Sequence, residues 1–155
     1  MVTRLSSNVR VLVVDDEPSL REMLSIALRR AGAEVATASG VASANELIRD
    51  ATPPFPLVIT DLLMPDGSGL EVVERAKKRA GATEVIVMTA HSTVESAIEA
   101  MKQGAYDFIV KPFSPAHMLA QAEKALEKHA LSRENQQLRA QLEIHSPRSL
   151  EFGTS

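Results

Sequence analysis

Short, nearly uninterrupted apolar runs alternate in this chain with stretches whose apolar positions recur every three or four residues. The runs Val9–Val14, Glu34–Ala38, Leu57–Thr60, Glu84–Met88 and Tyr106–Val110 predict strands. Between them, Leu20, Met23, Leu24, Ala27, Leu28 and Ala31 trace one face of an amphipathic helix. Pro18 sits in its first turn and Gly32 follows its end. Val41, Ala44, Leu47 and Ile48 predict a second helix, stopped before Pro53-Pro54. Leu70, Val73, Ala76 and Ala80 predict a third, closed by Gly81. Val94, Ala97, Ile98 and Met101 predict a fourth, closed by Gly104. A fifth starts near Ser114-Pro115 and turns Met118, Leu119, Ala122 and Leu126 inward.

Strict alternation of strand and helix with fully apolar strands implies a parallel sheet covered on both faces. Right-handed crossovers leave few topologies, and for five strands the flavodoxin-like order 2-1-3-4-5 is the natural one. The expected fold is therefore α/β, a (βα)5 doubly wound sheet. Its cleft opens beyond the carboxyl ends of strands 1 and 3, where the strand order reverses. Four runs end on polar residues at that edge: VLVV on Asp15-Asp16, LVIT on Asp61, VIVM on Thr89 and FIV on Lys111-Pro112.

The last helical pattern continues past the length a fifth domain helix needs, without Gly or Pro from Ala116 to Ser146. Leu131, Asn135, Leu138 and Leu142 follow 4-3-4 spacing, a short coiled-coil seam. Asn135 falls at an a-type position, where a polar residue favours a defined dimeric register at some cost in stability. A solvated helix, or one that packs back on the domain, would carry the same spacing; against these, pairing of two copies through the seam is the expectation.

Composition removes several classes of function. The 155 residues are 45% hydrophobic, enough for one sizeable core, and aromatics are so few that aliphatic side chains must pack it. With no cysteine there is no disulfide and no thiolate metal site. The formal charge of -3 argues against non-specific nucleic-acid binding by this chain alone. No apolar run is long enough to span a bilayer, and MVTRLSSNVR lacks a signal-peptide core, so a cytoplasmic setting is expected.

Adjacent acids after a strand are ordinarily solvated surface. Bringing Asp61 beside Asp15 and Asp16 changes this, because three carboxylates repel unless a cation neutralises them. A hard divalent ion with oxygen ligands, Mg²⁺, suits such a donor set. Asp61 is then a candidate nucleophile able to form an acyl phosphate. Lys111 offers a fixed charge to phosphoryl oxygens and Thr89 a hydroxyl. Each residue also has a plain structural role: Asp61 as a turn cap, Lys111 as an acid's partner, Thr89 as a strand end.

The arrangement of VLVVDDE, VITDLLMPDGSGLE, VIVMTAH and GAYDFIVKPF resembles the receiver domain of two-component response regulators, from about Val9 to Lys128. The resemblance implies that Asp61 is the phosphoacceptor and that a sensor histidine kinase is the donor. It implies direct Mg²⁺ ligation by Asp16, Asp61 and the backbone carbonyl of Leu63, with Asp15 acting through water. Thr89 and Lys111 would bind the phosphoryl group, and the Lys111–Pro112 bond would be cis. Thr89 and Phe108 would form the switch, Phe108 standing where many family members carry Tyr. Leu63 and His91 would flank the path of hydrolytic water.

The continuous helix also resembles the receiver-to-linker junction of NtrC-type transcriptional activators. The expected organisation is a tail over 1–7, a receiver over 8–127, a helical coiled-coil linker over 128–145, and an unstructured tail over 146–155 that reads as vector-derived. The resemblance implies a homodimer that would act on DNA and sigma-factor RNA polymerase only through modules absent here. No phosphate-cradling G-x-x-x-x-G-K-[ST] motif occurs in the chain. Two rivals stand beside it: an Asp-nucleophile phosphatase of the haloacid-dehalogenase type, and a constitutive dimerisation module.

Overall fold

The computed structural model describes residue 5 and residues 9–90 and 94–145. The expected tail at 146–155, His91 and most of the tail at 1–7 lie outside the described residues. Among the described residues, seven strands and five helices follow in chain order: β1 (Arg10–Val14), α1 (Pro18–Arg30), β2 (Glu34–Ala38), α2 (Val41–Asp50), β3 (Leu57–Asp61), β4 (Leu63–Met64), β5 (Gly67–Ser68), α3 (Gly69–Arg79), β6 (Glu84–Thr89), α4 (Val94–Lys102), β7 (Asp107–Val110) and α5 (Pro115–His145). The main sheet is parallel with the order β2-β1-β3-β6-β7. This is the flavodoxin-like order 2-1-3-4-5, with β4 and β5 set apart as a small antiparallel ribbon.

Period-two alternation divides the strand side chains between two cores. Leu12, Val14, Val58, Val85 and Val87 meet α2 and α3 on one face, and Ala100 of α4 joins them. Val11, Val13, Leu57, Ile59, Ile86 and Met88 meet α1 and α5 on the other. Both faces being covered explains why the strands read as unbroken apolar runs. Leu5 adds to the second core and donates its backbone N–H to the Ala31 carbonyl, 2.7 Å away.

Helix ends follow their punctuation. Gly32 and Gly104 take positive φ of 107° and 110°, the conformation that ends α1 and α4 with little steric cost. Gly81 does not close α3, which stops at Arg79 with Ala80 as its cap. Periodicity also misplaces one face of α4. The buried positions are Ala97 and Ala100, while Ile98 and Met101 stay 49% and 37% exposed. Small residues let α4 lie close on the sheet, so the larger side chains flank the contact.

Helix α5 runs 31 residues. Met118, Ala122, Ala125 and Leu126 are buried against the sheet. Beyond them Leu131, Asn135, Leu138 and Leu142 are exposed, so the seam does not pack back on its own domain.

Candidate functional site

The acid loop grows out of β1. Asp15 continues the ladder, its N–H donating to the Ala38 carbonyl at 3.1 Å, and its side chain is fully buried. One carboxylate oxygen accepts the Glu17 N–H at 2.8 Å, which turns the chain into α1. Arg21, one turn into that helix, donates to the Asp15 carbonyl at 2.6 Å. Asp16 is exposed beside it. Asp61 ends β3 opposite Met88 of β6. Lys111 follows β7, and its N–H donates to the Thr89 carbonyl at 2.8 Å. The Lys111–Pro112 bond is cis.

These separate segments converge. Carboxylate oxygens of Asp15, Asp16 and Asp61 lie within 4.8 Å of one another. The Lys111 ammonium stands 3.0 Å from Asp15 and 3.3 Å from Asp61. Burial pushes the Asp61 carboxyl above its ordinary pKa; the Lys111 charge opposes this and the Asp15 charge adds to it. Burial works against the Lys111 ammonium, but its hydrogen bond to Asp15 and the charges of both acids outweigh it and hold its pKa up. Three clustered acids are therefore met by one lysine, which pairs with Asp15 and Asp61.

That imbalance fits Mg²⁺. The cluster offers only hard oxygen donors, and its most buried members are crowded by like charge. A divalent cation among them would favour the ionised form that burial disfavours.

Thr89 is buried at the end of β6 and donates its hydroxyl to the Ala90 carbonyl at 3.1 Å. Leu63 is 59% exposed beside the acids. Phe108 is half-buried against the core shared by α2 and α3. The seam residues are remote from the cleft, on the far part of α5.

Two parts of the site were not anticipated. The turn after Asp61 folds as the β4–β5 ribbon, with Leu63 opposite Ser68. Asp66 at its tip accepts the Val41 and Ala42 N–H groups at 2.9 and 3.1 Å, and these bonds lower its pKa. Asp66 thereby caps α2 across 25 residues of chain. The turn formers in PDGSG signalled a reversal, but nothing local pointed to α2.

A family model described as response regulator receiver domain matches residues 11–123. The chain is 43% identical over 106 residues to the response regulator protein PilR of Pseudomonas aeruginosa, covering 68% of this chain and 23% of that protein. It is 35% identical over 120 residues to the DNA-binding transcriptional regulator NtrC of Azospirillum brasilense, covering 77% and 24%. Among solved structures, the beryllofluoride-activated NtrC4 receiver domain dimer superposes with a TM-score of 0.71 at 38% identity, covering 77% of this chain and 98% of that one. The chain thus spans about a quarter of the curated relatives' length. The match runs through both acid-bearing strands and sets the haloacid-dehalogenase reading aside. Among the described residues, no helix is long and apolar enough to cross a membrane.

Proposed function

This chain belongs to the response regulator receiver domain family, and from that premise we propose that Asp61 accepts a phosphoryl group from a histidine kinase. The observation that carries the reading is the gathering of Asp15, Asp16 and Asp61 within 4.8 Å, with Lys111 3.3 Å from Asp61.

Asp61 attacks the phosphorus of a phosphohistidine. The new bond joins a carboxylate oxygen to phosphorus, the phosphorus–nitrogen bond breaks, and its electron pair leaves with the imidazole, which takes up a proton. Lys111 offers its charge to the transferring oxygens, and the Thr89 hydroxyl turns towards them afterwards. Asp16, Asp61 and the Leu63 carbonyl would hold Mg²⁺ directly, and Asp15 would hold it through water. The ion supplies charge neutralisation for the phosphoryl oxygens.

The acyl phosphate carries about two negative charges in place of the carboxylate's one, where burial already disfavours charge. Thr89 and Phe108 respond, and α4, β7 and α5 carry the change to the exposed seam. Ile98 and Met101 stand uncovered on that face. Two copies pair through Leu131, Asn135, Leu138 and Leu142. In the cytoplasm that pairing controls transcription through DNA-binding and polymerase-contacting modules that are not in this chain. The similar NtrC4 receiver domain, a dimer in its beryllofluoride-activated form, supports this output.

The test is to add Mg²⁺ and beryllofluoride and measure association by light scattering, with Asp61→Ala beside wild type. A change in wild type alone supports the reading. A shift shared by both proteins, or absent from both, contradicts it.

A further inference from the structure

We infer that Gly69 is a positioning residue for the phosphoacceptor: its missing side chain lets α3 seat directly on the Asp61–Leu62 backbone. This rests on the reading of Asp61 as phosphoacceptor.

Gly69 opens α3 and is buried. A Cβ built there would overlap the Asp61 carbonyl oxygen and lie 3.0 Å from Leu62 Cα and 3.1 Å from the Asp61 carbonyl carbon. All three are backbone atoms, so no rotamer change relieves the overlap. The closeness is also bonded: the Gly69 N–H donates to the Leu62 carbonyl at 2.7 Å. Neither side is free to yield. On the strand side, Leu62 donates to the Met88 carbonyl at 2.9 Å, and the buried Thr60 hydroxyl donates to the Asp61 carbonyl at 2.9 Å. On the helix side, Val72, Val73 and Ala76 are locked in the core.

The position of Leu63 follows from the same seat. Its residue-to-residue pairing with Ser68 closes the ribbon that leads straight into Gly69. Moving α3 outward by the width of a methyl group drags that ribbon, and with it the Leu63 carbonyl. Moving Asp61 instead displaces its carboxylate from Asp15 and Lys111. Either way the oxygen donors no longer converge, and misplacement of about 1 Å can cost on the order of a hundredfold in rate.

The experiment compares Gly69→Ala with a core control, Leu126→Ala, whose buried side chain lies on α5 near Val9 and Thr83, at the amino ends of the strands. Calorimetric titration with Mg²⁺ alone is expected to show affinity weakened about tenfold or more in Gly69→Ala and unchanged in Leu126→Ala. Acetyl phosphate labelling should slow in the first variant only. Equal Mg²⁺ affinity in folded Gly69→Ala and wild type would overturn the inference. Hydrogen exchange on metal-free wild type covers the case in which Gly69→Ala does not fold. A slowly exchanging Gly69 amide supports the seat, and exchange at the rate of an exposed loop amide overturns it. Loss of labelling by wild type, with these amide and Mg²⁺ results intact, would instead count against the phosphoacceptor reading.

Discussion

The Lys111 ammonium lies 3.0 Å from the Asp15 carboxylate although 96 residues separate them in sequence. Asp15 is fully buried, so removing the lysine leaves an acid without its cation. Truncating one side of a buried pair costs about 3–5 kcal/mol, and a quarter-exposed lysine should fall nearer about 1–3 kcal/mol. Lys111→Met should therefore show a lower urea midpoint in EDTA. It should also label about a hundredfold more slowly with acetyl phosphate. Wild-type values in both assays would contradict the pairing.

Asp61 makes the stability of the metal-free protein depend on pH. Burial raises its folded pKa, so between the unfolded and folded values the native state binds more protons than the unfolded chain. Stability is undiminished below the unfolded value near about pH 4 and falls as pH rises through the folded one. Asp61→Asn removes this penalty. In EDTA it should melt above wild type at pH 7, with the gap closing towards pH 4. Parallel melting curves across that interval would show that Asp61 carries no such penalty.

Glu84 ties two helices to the amino end of β6. It is buried, Lys77 of α3 donates to one oxygen at 3.3 Å, and Lys128 of α5 faces the other at 3.2 Å as an ion pair without hydrogen-bond geometry. Lys77 also reaches the Gly81 and Thr83 carbonyls. Glu84→Gln keeps the shape but removes the charge between two lysines. A loss of about 1–3 kcal/mol in chemical denaturation is expected, with Asp61 labelling retained. An unchanged midpoint would mean the contacts contribute nothing net.

The seam residues Leu131 and Leu138 are 62% and 50% exposed, so the monomer gains little from them. The double variant Leu131→Ala with Leu138→Ala should leave domain stability within about 0.5 kcal/mol. Burial in a dimer stabilises by about 1.5–3 kcal/mol per leucine. Self-association of the activated protein should accordingly weaken by about tenfold or more in sedimentation. Equal association by variant and wild type would exclude this seam as the dimer contact.

Strand and helix positions were legible because burial on both faces leaves unbroken apolar runs, as in Val11–Val14, and one-face burial leaves a 3.6-residue period. The convergence of Asp15, Asp61 and Lys111 was legible too, since parallel topology sends every strand's carboxyl end to one edge. What stayed hidden depends on contacts between distant segments. Asp66 reads locally as a turn residue, yet its partners are Val41 and Ala42. Glu84 reads as a strand's polar first residue, and only folding brings Lys77 and Lys128 to it. Ile98 and Met101 fit the helical period but lose the buried face to Ala97 and Ala100, because close packing there selects small side chains.

The most direct measurement is peptide-resolved mass analysis after incubation with acetyl phosphate and Mg²⁺, with EDTA and Asp61→Ala as controls. The account predicts one phosphoryl group per chain, carried on Asp61, with none in either control. Modification at another residue, or equal modification of Asp61→Ala, would contradict it.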